Sequence, residues 1–286
     1  TKPMDVLQMA VSSLGTFYNL EVSPEMVKGK KYNKDYFMNT SAALIGALGS
    51  IVAAWHRIRS NQDPISSNPQ STYAENFLLM LGAEKITPLM TRIMDATLVL
   101  HGEHTINAST FTAMVTASTL ANASQVVASA IGSLSGPLHG GANEKVVSML
   151  SKIDSKDDIR PWLDDTLKAK NVVWGMGHRE YSVKDPRANI LTDMVQELFN
   201  EREGGVTDIF EKAIELEKAC EEKLAHKGVY PNVDFYSGIL YKEMDIPTDI
   251  FTPIFAMSRV SGWLSHWIEQ IQDNKIFRPT QNYFMT

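Results

Sequence analysis

The chain has 286 residues, 44% of them hydrophobic, enough apolar material for one large buried core or two smaller ones. Its 27 basic residues stand against 33 acidic ones, which argues against a nucleic-acid binder; an anionic ligand has to be met by local clusters of arginine, not by the field of the whole protein. The single cysteine, Cys220, excludes an intrachain disulfide and fits a reducing, cytoplasmic setting.

Thr1-Lys2-Pro3 opens the chain without the basic, apolar, small-residue succession of a signal peptide. Ala42 to Trp55 is the most apolar stretch; at about 14 residues, rich in Ala and Gly, it predicts a buried core helix and not a membrane span. Ser60 to Thr72, rich in Asn, Ser and Pro, predicts a break. Between Thr87 and Leu100, the residues Leu89, Ile93, Ala96 and Leu100 recur at three- and four-residue steps, the pattern of an amphipathic helix. Ser151 to Asp158 predicts a second break, with Ser155 and Asp158 marking a helix start. Asp208 to Lys227 repeats the helical pattern through Ile209, Leu216, Cys220 and Leu224, with Thr207 as its cap. Ile254 to Ile271 reads as a further helix. Few alternating β-branched runs compete with these segments, so the fold class is all-α.

Three short stretches carry the chemistry: GPLHGGANE around His139, WGMGHRE around His178 and YPNVDFYSG around Asp234. Glycines allow a histidine to be presented on irregular backbone, and two imidazoles with a carboxylate make a proton-transfer set. His101, Glu103 and His104 form an HxEH cluster, but the spacing is not HExxH and a third ligand is missing, so no metal is expected. His56, His226 and His266 are assigned to packing, as are most of the methionines and Cys220 on the apolar face of its helix.

With LHGEHTINASTFTAMVTAST, GMGHREYSVKDPRA, IFAMSRVSGWLSHW and FRPTQ in the same order, the chain resembles the citrate synthases, most closely the bacterial, cyanobacterial-type branch. The likeness runs from TKPMDVL to RPTQNYFM. It implies a large helical domain (1–142 and 249–286) interrupted by a small helical domain (143–248), with the active site in the cleft between them. It also implies a chain longer at both ends, so an N-terminal segment and a short C-terminal tail are expected to be missing here.

Joining a two-carbon thioester to a keto acid requires removing a methyl proton, stabilising the resulting enol, and protonating the carbonyl under attack. The resemblance implies Asp234 as base, His139 facing the thioester and His178 facing the keto acid. It assigns Arg187, Arg259 and Arg278 to the substrate carboxylates, for which a planar guanidinium fork suits better than a lysine, with His104 beside them. CoA is placed along Val172, Gly175, Met176 and Gly177, with Arg179 and Lys184 near its phosphates. The implied activity is condensation of acetyl-CoA with oxaloacetate in a homodimer or a multiple of dimers, with no cofactor, nucleic acid or membrane. A 2-methylcitrate synthase taking propionyl-CoA, a catalytically silent scaffold, and a citryl-CoA lyase module are the competing readings. Lys2, Glu180 and Ser182 depart from the usual pattern, the last two removing positive charge beside the CoA region.

Overall fold

The computed structural model describes residues 1–18, 20–23, 26, 33–178, 183–201 and 205–283. Among them are twelve α-helices and no named strand. In chain order they are α1 (Pro3–Ser13), α2 (Lys34–Arg59), α3 (Tyr73–Leu81), α4 (Pro88–Gly102), α5 (Ala108–Ser118), α6 (Ala123–Leu134), α7 (Ala142–Leu150), α8 (Ile159–Lys168), α9 (Pro186–Glu201), α10 (Asp208–Leu224), α11 (Val233–Glu243) and α12 (Phe251–Gln272).

Local sequence sets most of their starts. Side-chain oxygens of Asn33, Thr72, Thr87, Asn107 and Asn122 accept the first free N–H groups of α2 to α6, and Pro3 and Pro88 fill first-turn positions where no N–H is needed. Both expected breaks fall where the helices stop, between Arg59 and Tyr73 and between Leu150 and Ile159. Ser155 donates to Asp158 at 2.6 Å, and a 3-10 turn over Lys156–Asp158 leads into α8. Thr207 precedes α10 but does not cap it; its hydroxyl donates to Glu243 at 2.8 Å, tying the helix start to the end of α11.

Two expectations shift in detail. α2 is longer than Ala42 to Trp55 and is long and apolar enough to cross a bilayer. Phe37, Leu44, Leu48, Val52 and Ala53 are nevertheless buried where it packs against α1, α3 and α12, so it is a core helix. On α4 the buried face runs through Leu89, Ile93, Met94, Thr97, Leu98 and His101, with Ala96 and Leu100 at its margin. The stripe is rotated because two polar residues bond within it: His101 Nδ1–H donates to the Thr97 carbonyl at 2.7 Å, and the Thr97 hydroxyl donates to the Met94 carbonyl at 2.8 Å.

α12 is the central pillar. Trp263 and Trp267 are fully buried, and the helix packs on α2, α4, α5 and α6. α7 to α11 pack chiefly on one another, α11 against α7 and α9, and α10 against α8. The contacts of α4 with α9 and α11 join the two groups, and the candidate residues gather along that junction.

Candidate active site

His139 sits in the turn 136–141 between α6 and α7. Gly140 is required there, since a Cβ would lie 2.3 Å from the Leu134 carbonyl, and Gly141 follows with φ +80°. Nε2 of His139 accepts the backbone N–H of Ser109 at 3.1 Å, from the first turn of α5, and lies 2.8 Å from the Ser109 hydroxyl. That hydroxyl also accepts Trp263 Nε1–H at 3.1 Å. With Nε2 committed as an acceptor, the ring proton is assigned to Nδ1 and the imidazole is neutral. Burial, then the charge of Arg259, lowers its proton affinity below that of an ordinary histidine.

Asp234 occupies the first turn of α11, its N–H held by Asn232 Oδ1 at 3.0 Å. Burial pushes its carboxyl up to about 6, against the pull of Arg187 and Arg259, with Asp185 adding to the rise. His104 and His178 meet edge to face with ring centroids 5.0 Å apart. His104 is held below the usual histidine range first by burial and then by Arg187, His178 and Arg259, with Asp185 opposing.

The end of α4 fixes both inner arginines. Arg259 is 3% exposed, and its Nε donates to the His101 carbonyl at 2.7 Å while its guanidinium lies 4.8 Å from the centre of the Phe255 ring. Arg187 donates to the Leu100 carbonyl at 3.3 Å and grips Asp185 through Nη2 at 2.8 Å and Nε at 3.1 Å. These carbonyls belong to the last turn of α4, where a helix leaves acceptors unmatched and its dipole favours cations. Burial lowers Arg259 to about 10, which still leaves it charged at neutral pH. Burial would raise the Asp185 carboxyl, but its bonds to Arg187 carry it below the ordinary range.

The structure therefore brings together His104, His178, Asp234, Arg187 and Arg259, linked by ring contact or electrostatic reach, with Arg259 also acting on His139. Val172 is exposed at the head of the loop expected to meet CoA. Gly175 and Gly177 have φ +80° and +83°, and a Cβ on Gly175 would sit 2.8 Å from Phe235 and Val146. Met176 bridges to Pro231. Lys184 is not free for a phosphate: it pairs with Glu217 at 2.5 Å, and Glu217 also accepts a hydrogen bond from the Tyr236 hydroxyl. Arg278 is exposed in the tail after α12, where Asn274 and Phe277 bond to Ser118, and among the described residues no contact joins it to the other arginines. Arg179, Glu180 and Ser182 lie outside the described residues.

Four residues take parts here that the sequence did not assign to them. Asp185 both caps α9, accepting the Arg187 N–H at 3.0 Å, and orients that arginine's side chain; its place just before Pro-Arg in KDPRA is the available signal. Ser109 stands behind His139 from 30 residues away in sequence, and Trp263 bonds Ser109 from 154 residues away, so no local pattern announces them. His101 is a core residue, edge-on to Phe255 at 5.0 Å and lowered by burial to about 3, whose carbonyl holds Arg259.

A family model described as the C-terminal domain of citrate synthase matches residues 1–280. The citrate synthase of Synechocystis sp. is 48% identical over 281 residues, covering 98% of this chain and 68% of the relative. That of Acidithiobacillus ferridurans is also 48% identical, with 98% and 72% covered. Among solved structures, citrate synthase from Pyrobaculum aerophilum superposes with a TM-score of 0.89 at 34% identity, covering 100% of this chain and 72% of that one. A ternary complex of carboxymethyl coenzyme A and oxaloacetate with citrate synthase from Thermoplasma acidophilum gives 0.88 at 30% identity, with 100% and 74% covered.

Proposed function

The chain belongs to the citrate synthase family, and on that premise we propose that it condenses acetyl-CoA with oxaloacetate through Asp234, His139 and His178. It is an acyltransferase, converting the acyl group into an alkyl group on transfer. Asp234 removes a methyl proton from the thioester; a carboxylate at about 6 is ionised at neutral pH yet a stronger base than a solvated one. His139 donates its Nδ1 proton to the thioester oxygen as the enol forms, an electrostatic role that a neutral, pre-positioned donor fills without rearrangement. His178 protonates the keto oxygen, and hydrolysis of the CoA adduct completes the turnover. Arg187 and Arg259 hold the carboxylates of oxaloacetate, with His104 beside them.

The observation that carries this reading is the hydrogen bond from the Ser109 backbone N–H to His139 Nε2, which assigns the ring proton to Nδ1. The remaining assignments belong to the same proposal. Residues 1–142 with 249–286 form the large domain and 143–248 the small one, a division supported by the mutual packing of α7 to α11. CoA lies along Val172 to Gly177 with Arg179 near its phosphates. Arg278 serves the neighbouring subunit of a cytoplasmic homodimer. Thiol release is the direct test: it is expected only when acetyl-CoA and oxaloacetate are both present, and a full-length enzyme that releases no thiol with the pair would overturn the reading.

A further inference from the structure

Lys145, on α7, is half-buried between the two histidine loops. Its ammonium donates to the Pro137 carbonyl at 3.1 Å and lies 3.9 Å from the centre of the Trp174 ring. Pro137 is two residues before His139, and Trp174 is four before His178. The Trp174 side is already laced to the base: Gly177 N–H donates to the Tyr230 carbonyl at 2.7 Å, Asn232 N–H to the Gly175 carbonyl at 2.9 Å, and Asn232 Nδ2 to the Gly177 carbonyl at 2.9 Å. Asn232 then holds the Asp234 N–H. His178 and Asp234 thus ride on one hydrogen-bonded unit, while His139 rides on a separate turn that glycines leave free to take irregular shapes.

We infer that Lys145 and Trp174 form a strut that sets the spacing of the His139 turn against the unit carrying His178 and Asp234, a positioning role in the condensation proposed above. The chemistry suits it. A lysine ammonium has three donors and no acceptor, so it can bond a carbonyl on one side and rest on an aromatic face on the other. Among aromatic rings tryptophan gives the strongest cation–π contact, whereas a lysine without such partners spends its charge on water. Three groups that must act on two joined substrates gain most from a fixed separation, since small misplacements of reacting groups are costly.

The experiment compares Lys145→Met, Lys145→Arg, Trp174→Leu and the Met/Leu double variant with the wild-type enzyme. Measured are kcat, the KM for acetyl-CoA, and oxaloacetate affinity by calorimetry. Expected is a kcat loss of about ten-fold or more for Lys145→Met with both substrate affinities within about two-fold, as for an interaction that acts at the transition state, and a kcat loss of similar size for Trp174→Leu with oxaloacetate affinity within about two-fold, since Trp174 stands in the stretch assigned to CoA. Lys145→Arg, which keeps a cation and donors, restores most of the rate, and the double variant is no worse than either single one. Equal activity of Met and Arg variants at the wild-type level would overturn the strut, as would a loss appearing wholly in the acetyl-CoA KM, which would make Lys145 a ligand contact. Should Lys145→Met fail to fold, as judged by lost oxaloacetate binding, Trp174→Leu and Lys145→Arg carry the same comparison. A wild-type enzyme without turnover sinks the functional reading itself and is a separate outcome.

Discussion

Asp234→Asn should destroy turnover and at the same time stabilise the protein. Burial raises the folded-state carboxyl from an ordinary 3.8 to about 6, so between those values the native state binds a proton that the unfolded chain has released. Stability therefore falls as pH rises through that window, and the penalty is complete above about 6. At 1.36 kcal/mol per pH unit the full penalty is about 3 kcal/mol. An asparagine mimics the protonated acid, escapes the penalty, and keeps the backbone N–H bond to Asn232, which does not involve its side chain. Urea unfolding at pH 8 and pH 4 gives the measurement. The variant's midpoint should exceed that of the wild type at pH 8 with an unchanged slope, and the gap should close as pH falls below the native-state value. In parallel, kcat should drop by about 10²–10⁴, the span of a lost general base. A variant no more stable than wild type at pH 8, or a gap independent of pH, would refute the argument that burial poises this carboxylate.

The same shift predicts that kcat/KM loses activity as pH falls through about 6, with the acid limb absent in no active variant that retains Asp234; a limb near 4 would show an unperturbed base. Arg187→Lys should raise the oxaloacetate KM by about ten-fold or more, because an ammonium cannot match the fork that grips Asp185 and, in the proposed site, holds a substrate carboxylate as well; initial-rate kinetics check it. Gly140→Ala forces a Cβ into the Leu134 carbonyl and should cost about 2 kcal/mol or more in urea unfolding, within the range for a substitution that clashes with backbone. Mixing Asp234→Ala with Arg278→Ala chains should restore about one quarter of wild-type turnover if Arg278 completes the partner's site, since half the dimers then carry one intact site; confirmed heterodimers without activity place Arg278 in its own subunit.

What could be read from the chain and what could not divide along a physical line. Helix faces on α10, breaks around 60–72 and 151–158, and the turn glycines are written in residues a few positions apart, where periodicity and backbone preference act directly. The side chains proposed to carry the chemistry could be singled out because each sits in a short motif at an element's edge: His139 in a turn, His178 in a loop, Asp234 in the first turn of α11. Their electrostatic states were not legible, since those depend on groups from distant segments. Nothing near His139 announces that the Ser109 N–H meets its Nε2 or that Trp263 backs Ser109, and nothing in KDPRA shows that Lys184 is already spent on Glu217. The arginines make the same point from the other direction. Motif context proposes Arg187 and Arg259 as substrate groups, but what aims them is the last turn of α4, where a helix leaves its carbonyls without intrahelical partners and those of Leu100 and His101 receive them. A helix that ends at this junction supplies two acceptors at a fixed separation, and burial then strips the arginines of competing water. The periodic reading of α4 stops at Leu100, one residue short of the carbonyl that receives Arg259; the functional use of the helix begins where its amphipathic signal ends.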